Sequence, residues 1–268
     1  MLDDRQVAAL AAELHGAEQS QTQIRQFSTR FPAMSIEDSY RIARAWVALK
    51  VSEGQRVIGH KIGLTSRAMQ RATGIHTPDY GTLLDAMVFE PNGAIPVGRF
   101  IEPRIEVELA FVLNADLHGP DVTLFDVLNA TDFIVPAVEI IDARIERLDR
   151  QTGRARSVID TIADNAANAG IVWGGQPLRP KDGGDLRWIG AALTRNGVVE
   201  ETGLASGVLG HPAQGVVWLV RRLAAWNVGL EAGQIVLAGS FVRPVDCARG
   251  DVFHADFGPM GAFGFQVT

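Results

Sequence analysis

The stretch Arg104-Ile-Glu-Val-Glu-Leu-Ala-Phe-Val-Leu113 carries the clearest β-strand signal in the chain. Its large apolar side chains alternate along the strand and are predicted to share one buried face: Ile105, Val107, Leu109 and Phe111. Glu106 and Glu108 then share the opposite face, with Cα atoms about 6–7 Å apart. Because that face continues with apolar residues, the two carboxylates are expected at the mouth of a partly buried region.

A third glutamate, Glu139, lies within the apolar run Val135-Pro-Ala-Val-Glu-Ile-Ile-Asp142. Carboxylates that converge in a partly buried place repel one another and resist desolvation, so a positive charge is expected between them. Glu106, Glu108 and Glu139 together would offer oxygen ligands to a hard divalent cation, Mg²⁺ or alternatively Mn²⁺. The other interpretation, a solvated acidic edge strand, remains open, although it accounts poorly for a glutamate in so apolar a run.

Two further segments offer groups that transfer protons. Gly59-His-Lys-Ile-Gly-Leu-Thr-Ser66 places Lys61 between glycines that permit close approach of a ligand, although a surface lysine remains an alternative. Pro78-Asp-Tyr-Gly81 makes Asp79 a candidate general acid or base, but the same residues are typical of an ordinary turn.

Two other residues are candidates for contacting a substrate. Ser240 follows the small pair Ala238-Gly239, which suits either the binding of an oxygen anion by hydroxyl and backbone N–H groups or a tight turn. Arg104 shares the predicted face of Glu106, where a guanidinium would suit a substrate carboxylate; a solvated arginine at the strand end is the alternative.

Composition narrows the class of protein. The chain has 268 residues, a net charge of −6 and a single cysteine, Cys247. The acidic balance argues against a nucleic-acid or membrane-surface role, and one cysteine allows no internal disulfide. The acidic N-terminus is unlike a signal peptide, and no apolar run reaches the roughly 18 residues of a spanning helix. A cytoplasmic location is therefore expected.

The pattern along the chain predicts two sections. Residues 1–55 have helical periodicity, with a capping box that begins at Ser35. Residues 56–268 are rich in short strands, with a hairpin at Asn196-Gly197, a short helix over 66–73 and an amphipathic helix that starts at Pro212. Without regular βα alternation, the chain is predicted to be α+β rather than doubly wound.

The chain resembles the hydratase and decarboxylase group of the fumarylacetoacetate hydrolase superfamily over nearly its whole length. The resemblance rests on the segments already quoted around Lys61, Asp79, Glu106 and Glu139, and on two more: Asp164-Asn-Ala-Ala-Asn-Ala-Gly170 and Gly239-Ser-Phe241. It implies a mixed β-roll core with a helical N-terminal section and an assembly of homo-oligomers built from dimers.

The resemblance also assigns roles to individual residues. It implies that Glu106, Glu108 and Glu139 hold a divalent metal, usually Mg²⁺, and that Lys61 and Asp79 transfer protons. Three residues are expected to bind substrate: Leu64, Arg104 and Ser240. Among arginines that could meet a distal carboxylate, the sequence leaves six open: Arg67, Arg71, Arg104, Arg144, Arg154 and Arg156.

The implied activity is metal-dependent addition of water to a seven-carbon 2-oxo dicarboxylate in the breakdown of an aromatic acid, homoprotocatechuate. Decarboxylation of a 4-oxalocrotonate-type substrate would use the same metal and the same enolate. Hydration of the five-carbon 2-oxopent-4-enoate is a second alternative, and a non-catalytic partner of a related enzyme is a third. A carbon–carbon hydrolase is disfavoured because no histidine in the N-terminal half has a suitable glutamate partner.

Overall fold

A computed structural model describes residues 1–67, 70, 71, 75 and 77–268. Among these residues, the helices are α1 Asp4–Ser20, α2 Phe27–Arg30, α3 Ile36–Ser52, α4 Leu124–Asn129, α5 Val158–Ala163 and α6 Pro212–Ala224. None of them combines the length and apolar character that crossing a membrane requires. The short helix predicted over 66–73 lies partly on residues outside the described ranges, and residues 67, 70 and 71 are helical.

The strands of the described chain run from β1 near residue 57 to β13 near the C-terminus. They are β1 Val57–Gly63, β2 Asp79–Leu84, β3 Val88–Phe89, β4 Ala94–Ile95, β5 Arg104–Leu113, β6 Thr131–Ile141, β7 Asn168–Trp173, β8 Gly190–Arg195, β9 Val198–Leu204, β10 Ile235–Leu237, β11 Val245–Asp246, β12 Val252–Asp256 and β13 Ala262–Val267. The predicted strand over 104–113 is therefore confirmed with its bounds.

Two sheets form the body of the protein. The larger sheet has the order β2-β1-β10-β5-β6-β7-β3, with β11 paired to the start of β5, and it is curled. The smaller sheet has the order β4-β13-β12-β8-β9. Both sheets mix parallel and antiparallel pairs, since β1 lies parallel to β10 and β4 parallel to β13. The predicted α+β class with a mixed β-roll core is confirmed.

The alternation along β5 divides the interior as the sequence predicts. The apolar residues on one face are almost fully buried in the main core, into which α6 also packs: Ile105, Val107, Leu109 and Phe111. Ala110 lies on the other face, in a small cluster with Ala137, Leu237 and Leu83. This second cluster is the apolar floor behind the acidic residues of β5 and β6.

Helices α1 and α3 begin at capping boxes, with Asp3 and Ser35 accepting hydrogen bonds from the backbone N–H groups of Gln6 and Asp38. The helices pack in a core of their own, which also takes in residues of the β-rich section such as Leu84. The division of the chain at residue 55 stays a prediction.

The turn interpretation of Pro78–Gly81 is wrong. Asp79 begins β2, which pairs antiparallel with β1 from Gly63↔Asp79 to Val57↔Leu84. The backbone N–H and C=O groups of β1 and β2 form hydrogen bonds with each other. The Pro-Asp-x-Gly pattern cannot indicate this pairing, because the partner strand lies elsewhere in the sequence. By contrast, the hairpin at Asn196-Gly197 is confirmed, and both residues have the positive φ of its tight turn, 54° and 80°.

A buried ion pair joins the end of β6 to the segment before β7. The guanidinium of Arg144 donates from Nε to the carboxylate of Asp164 and from its other nitrogens to the backbone carbonyls of Asp164 and Asn168. Asp164 also accepts from the backbone N–H of Arg144 at 2.8 Å. The next residue, Asn165, pairs its side-chain amide with both backbone groups of Thr82 at 2.7 and 2.9 Å, which ties this segment to β2.

Substituting Asp164→Asn is expected to lower the free energy of unfolding by about 3–5 kcal/mol, because it leaves the buried Arg144 charge without its counter-ion. The exposed pair of Arg243 and Glu201 serves as control, and Arg243→Met should cost no more than about 1 kcal/mol. Urea unfolding of both variants measures the difference. Equal, small losses would show that the buried pair has no special structural role.

Candidate functional site

Three carboxylates converge on the inner face of the larger sheet. Glu106 on β5 lies directly opposite Glu139 on β6, and Glu108 is the next residue along the same face of β5. One oxygen from each lies within 4.8 Å of the others. Glu108 and Glu139 are buried and Glu106 is partly exposed. The predicted convergence is present, and the solvated acidic strand is excluded by this burial.

The carboxylate of Glu108 is positioned by the chain that leaves β10. The backbone N–H of Gly239 donates to Glu108 Oε2 at 2.8 Å. Gly239 has a φ of +122°, and a Cβ there would lie 2.2 Å from Thr65 Oγ1, so only glycine fits. The backbone N–H predicted to bind an oxygen anion therefore does so, but the anion is the protein's own Glu108. Sequence reasoning did not foresee Thr65 in this contact.

Lys61 lies beside the acidic cluster. Its Nζ is 3.2 Å from Glu139 Oε1, and only 3% of the residue is exposed, so the surface alternative is wrong. Burial opposes the ammonium charge, but the surrounding carboxylates, Glu139 foremost, outweigh it and raise the pKa of Lys61. Lys61 therefore carries a proton at neutral pH. His60, the neighbour on β1, lies on the opposite face of the sheet near Tyr80.

Asp79 completes a group of proton-transfer candidates. A Cβ on Gly63 would lie 2.2 Å from Asp79 Oδ1 and 3.5 Å from Lys61 Nζ, so both charged groups flank that glycine. Burial raises the pKa of Asp79, the charge of Lys61 lowers it, and Glu139 raises it again, with a net rise. A buried acid beside a buried ammonium can exchange protons with a substrate placed between them.

The residues fit a divalent cation. Burial, reinforced by Glu139, raises the pKa of Glu106 to about 7 and that of Glu108 well above its ordinary range. Neither oxygen of Glu139 has a hydrogen bond of normal geometry from the residues that the structure describes. Three converging carboxylates form a set of oxygen ligands suited to Mg²⁺ or Mn²⁺.

The structure places two of the three substrate-binding candidates at one cavity. Leu64 and Ser240 line it together with Glu106 and Glu108, and Val242, which the sequence did not single out, lines it too. The hydroxyl of Ser240 donates to the carbonyl of Val242 at 2.9 Å, which matches the tight-turn alternative rather than a free anion-binding hydroxyl.

Arg104, the third candidate, is partly buried and lies two residues before Glu106 on the same face of β5. Its charge acts on Glu106, whose pKa it lowers. It lines a neighbouring small cavity with Arg147 and Arg156 rather than the cavity of Ser240. The structure therefore places a guanidinium beside the acidic cluster but outside the pocket itself.

A curled mixed sheet of this kind also occurs in a fumarylacetoacetate hydrolase family protein of yeast, which superimposes with a TM-score of 0.55 at 14% identity, covering 78% of this chain and 91% of that one. The fumarylpyruvate hydrolase of Pseudomonas aeruginosa, solved with Mn²⁺ and pyruvate, superimposes with a TM-score of 0.58 at 16% identity, covering 78% of this chain and 88% of that one. At that identity the likeness concerns the fold alone.

Closer relatives define the family. The chain is 56% identical to the 2-oxo-hept-4-ene-1,7-dioate hydratase of Escherichia coli over 98% of both chains, and 36% identical to the 2-hydroxyhexa-2,4-dienoate hydratase of Comamonas testosteroni over 100% of both. The 4-oxalocrotonate decarboxylase of Pseudomonas putida G7, solved with magnesium and adipate, superimposes with a TM-score of 0.94 at 32% identity, covering 100% of this chain and 99% of that one. No family model matches. The chain belongs to the family of these hydratases and decarboxylases.

Replacing Glu108 with alanine is expected to abolish metal binding and activity while the protein still folds. One of three ligands is lost, whereas the remaining buried carboxylates repel each other less. Calorimetric scans should show that Mg²⁺ raises the Tm of the wild type and of Glu231→Ala, an exposed control, but not that of Glu108→Ala. A metal-free Glu108→Ala variant that is already unfolded where the wild type is stable would assign Glu108 a structural role.

Proposed function

We propose that this enzyme is a metal-dependent hydro-lyase that adds water to 2-oxo-hept-4-ene-1,7-dioate or a close homologue. The observation that carries the proposal is the cluster of Glu106, Glu108 and Glu139 beside Lys61 and Asp79 in a chain 56% identical to a hydratase of that substrate. The reaction belongs to the catabolism of aromatic compounds, and we propose that it is a step in the breakdown of homoprotocatechuate.

Glu106, Glu108 and Glu139 would hold the cation, for which we propose Mg²⁺, with Mn²⁺ as the alternative. When bound, such a cation would attract the carboxylate and 2-oxo oxygens of the substrate and would stabilise negative charge on the oxo oxygen. The ammonium of Lys61, 3.2 Å from Glu139 Oε1, offsets part of the negative charge of the cluster.

Lys61 and Asp79 handle the protons of the reaction. A proton moves from C3 to C5 of the substrate, which brings the double bond into conjugation with the oxo group. Water then bonds to C4, and C3 takes up a proton in exchange for the one that water loses. Asp79, a buried acid with a raised pKa, accepts and returns these protons, while Lys61 holds its proton at Nζ and supports the charge.

Leu64 and Ser240 contribute shape rather than charge at the mouth of the cavity. Leu64 has a φ of 57°, a left-handed conformation that turns the chain after β1 beside the acidic cluster. Ser240 holds its own turn through Val242 and so keeps Gly239 against Glu108. Arg104 has no ion-pair partner among the described residues and lies on the same face of β5 as Glu106, and we propose that it contacts the substrate.

Decarboxylation is the strongest alternative, because the decarboxylase of Pseudomonas putida G7 shares the fold so closely. Identity separates the two: 56% to the hydratase against 37% to the 4-oxalocrotonate decarboxylase of Pseudomonas strain CF600. A non-catalytic partner subunit would not need Lys61 and Asp79 buried beside three carboxylates. We further propose a cytoplasmic homo-oligomer built from dimers, with no nucleic-acid or membrane partner.

Hydration of the seven-carbon 2-oxo dicarboxylate is expected to exceed that of the five-carbon 2-oxopent-4-enoate by tenfold or more in kcat/KM, about 1.4 kcal/mol. A distal carboxylate that meets a buried cation gains both affinity and orientation. Steady-state assays with Mg²⁺, following product by mass, measure both rates and detect any carbon dioxide released. Equal rates, a preference for the five-carbon substrate, or decarboxylation would contradict the proposed substrate or reaction.

Changing Asp79→Asn is expected to lower kcat by about 10²- to 10⁴-fold, because the amide cannot accept the proton that the carboxylate takes. The affinity for Mg²⁺ should stay within a few-fold of the wild-type value, since Asp79 is not among the three clustered ligands. Asp85→Asn, at the other end of β2, is the matched control and should keep wild-type kcat. Wild-type turnover by Asp79→Asn would remove Asp79 from the mechanism.

A further inference from the structure

Three guanidinium groups gather next to the acidic cluster. Arg104, Arg147 and Arg156 surround one narrow space at the start of β5, together with Glu102 and Asp142, and this space admits a ligand only if these side chains move apart. Arginines that share a cavity repel one another unless an anion lies among them. Burial lowers the pKa of Arg104, and the charges of Arg147 and Arg156 lower it further, which indicates how close the three groups are.

Only part of this positive charge is neutralised within the protein. Arg147 donates to Glu102 Oε2 at 2.8 Å and lies 3.9 Å from Asp246. Asp142, also at the cavity, accepts from two backbone N–H groups at 2.7 and 2.8 Å. The guanidiniums of Arg104 and Arg156 have neither a hydrogen bond nor an ion-pair partner among the residues that the structure describes, and Nη1 of Arg156 is fully buried.

This absence of partners sets Arg104 and Arg156 apart from the other arginines that the sequence left open. Arg144 is fully engaged by Asp164 and Asn168. The remaining three side chains are exposed to solvent: Arg67, Arg71 and Arg154. Within the described part of the chain, the partly buried arginines without a partner are Arg104 and Arg156.

The position of this pair matches the length of a dicarboxylate. Arg104 lies two residues from Glu106, so the two Cα atoms are about 6–7 Å apart along β5. Five extended carbon–carbon bonds, the separation of C2 and C7, span about 6 Å. Burial raises the pKa of Asp79, and the positive charge of Arg156 is one of the neighbouring charges that oppose this rise, so Arg156 lies on the side of the site where protons move.

We propose that Arg156, acting with Arg104, binds the distal carboxylate of the substrate and so determines the preference for dicarboxylates. The inference rests on the proposed hydratase function and adds the residue that recognises the distal carboxylate of the longer substrate. A bidentate contact from a guanidinium that has no internal partner costs the protein no existing ion pair, and desolvation of the ligand carboxylate is offset by the charge-assisted bonds.

The test compares Arg156→Met, Arg156→Lys and the exposed neighbour Arg154→Met as control. For Arg156→Met, kcat/KM on the seven-carbon dicarboxylate should fall by at least about tenfold, while the value for 2-oxopent-4-enoate stays within about threefold. Arg156→Lys should recover part of the loss, and Arg154→Met should match the wild type. Thermal unfolding of each variant verifies that it is folded.

A binding measurement separates the inference from the proposed reaction. Calorimetric titration of the Mg²⁺-loaded enzyme uses 2-oxoheptanedioate and 2-oxopentanoate, which lack the carbon–carbon double bond and so are not turned over. Arg156→Met should weaken the binding of the dicarboxylate only. Equal losses for both ligands, or none for the dicarboxylate, would overturn the subsite. If the wild type hydrates neither substrate yet binds 2-oxoheptanedioate through Arg156, the proposed reaction fails and the subsite stands.

Discussion

The concentration of negative charge between β5 and β6 constrains which other groups can lie on the inner face of the larger sheet. Glu106 and Glu139 are cross-strand neighbours, and like charges directly opposite each other destabilise a sheet. A buried cluster of this kind persists only if positive charge or donors surround it. Three groups supply this positive charge or donate hydrogen bonds: the ammonium of Lys61, the backbone N–H of Gly239 and the proposed cation.

The rest of the fold delivers these groups from distant parts of the chain. The parallel pairing of β1 with β10 brings Lys61 beside Leu237, and the chain turns at Gly239 to aim its N–H at Glu108. The pairing of β2 with β1 sets Asp79 next to Gly63. Two of these contacts require glycine, because a Cβ on Gly239 would meet Thr65 and a Cβ on Gly63 would meet Asp79, so packing and chemistry constrain the same positions.

Short sequence patterns predicted the elements that depend on residues close together in the chain. The strand over 104–113, the capping box at Ser35 and the hairpin at Asn196-Gly197 follow from side-chain period, caps and turn chemistry. The same patterns misassigned Pro78–Gly81, where strand pairing overrides a turn-like composition. These patterns also left the role of Ser240 undecided. The small pair Ala238-Gly239 can precede either a hydroxyl that closes its own turn, as Ser240 does here, or a hydroxyl that binds a ligand.

The sequence by itself determined that Glu106 and Glu108 face the same way and that Glu139 is buried, because alternation and local hydropathy are properties of a single strand. Its resemblance to a known family named the ligand set. Only the tertiary structure decided that Glu139 stands opposite Glu106, that Lys61 contacts Glu139, and which arginines lack partners. Those facts depend on strand register and on side chains far apart in the chain, and no local pattern encodes them.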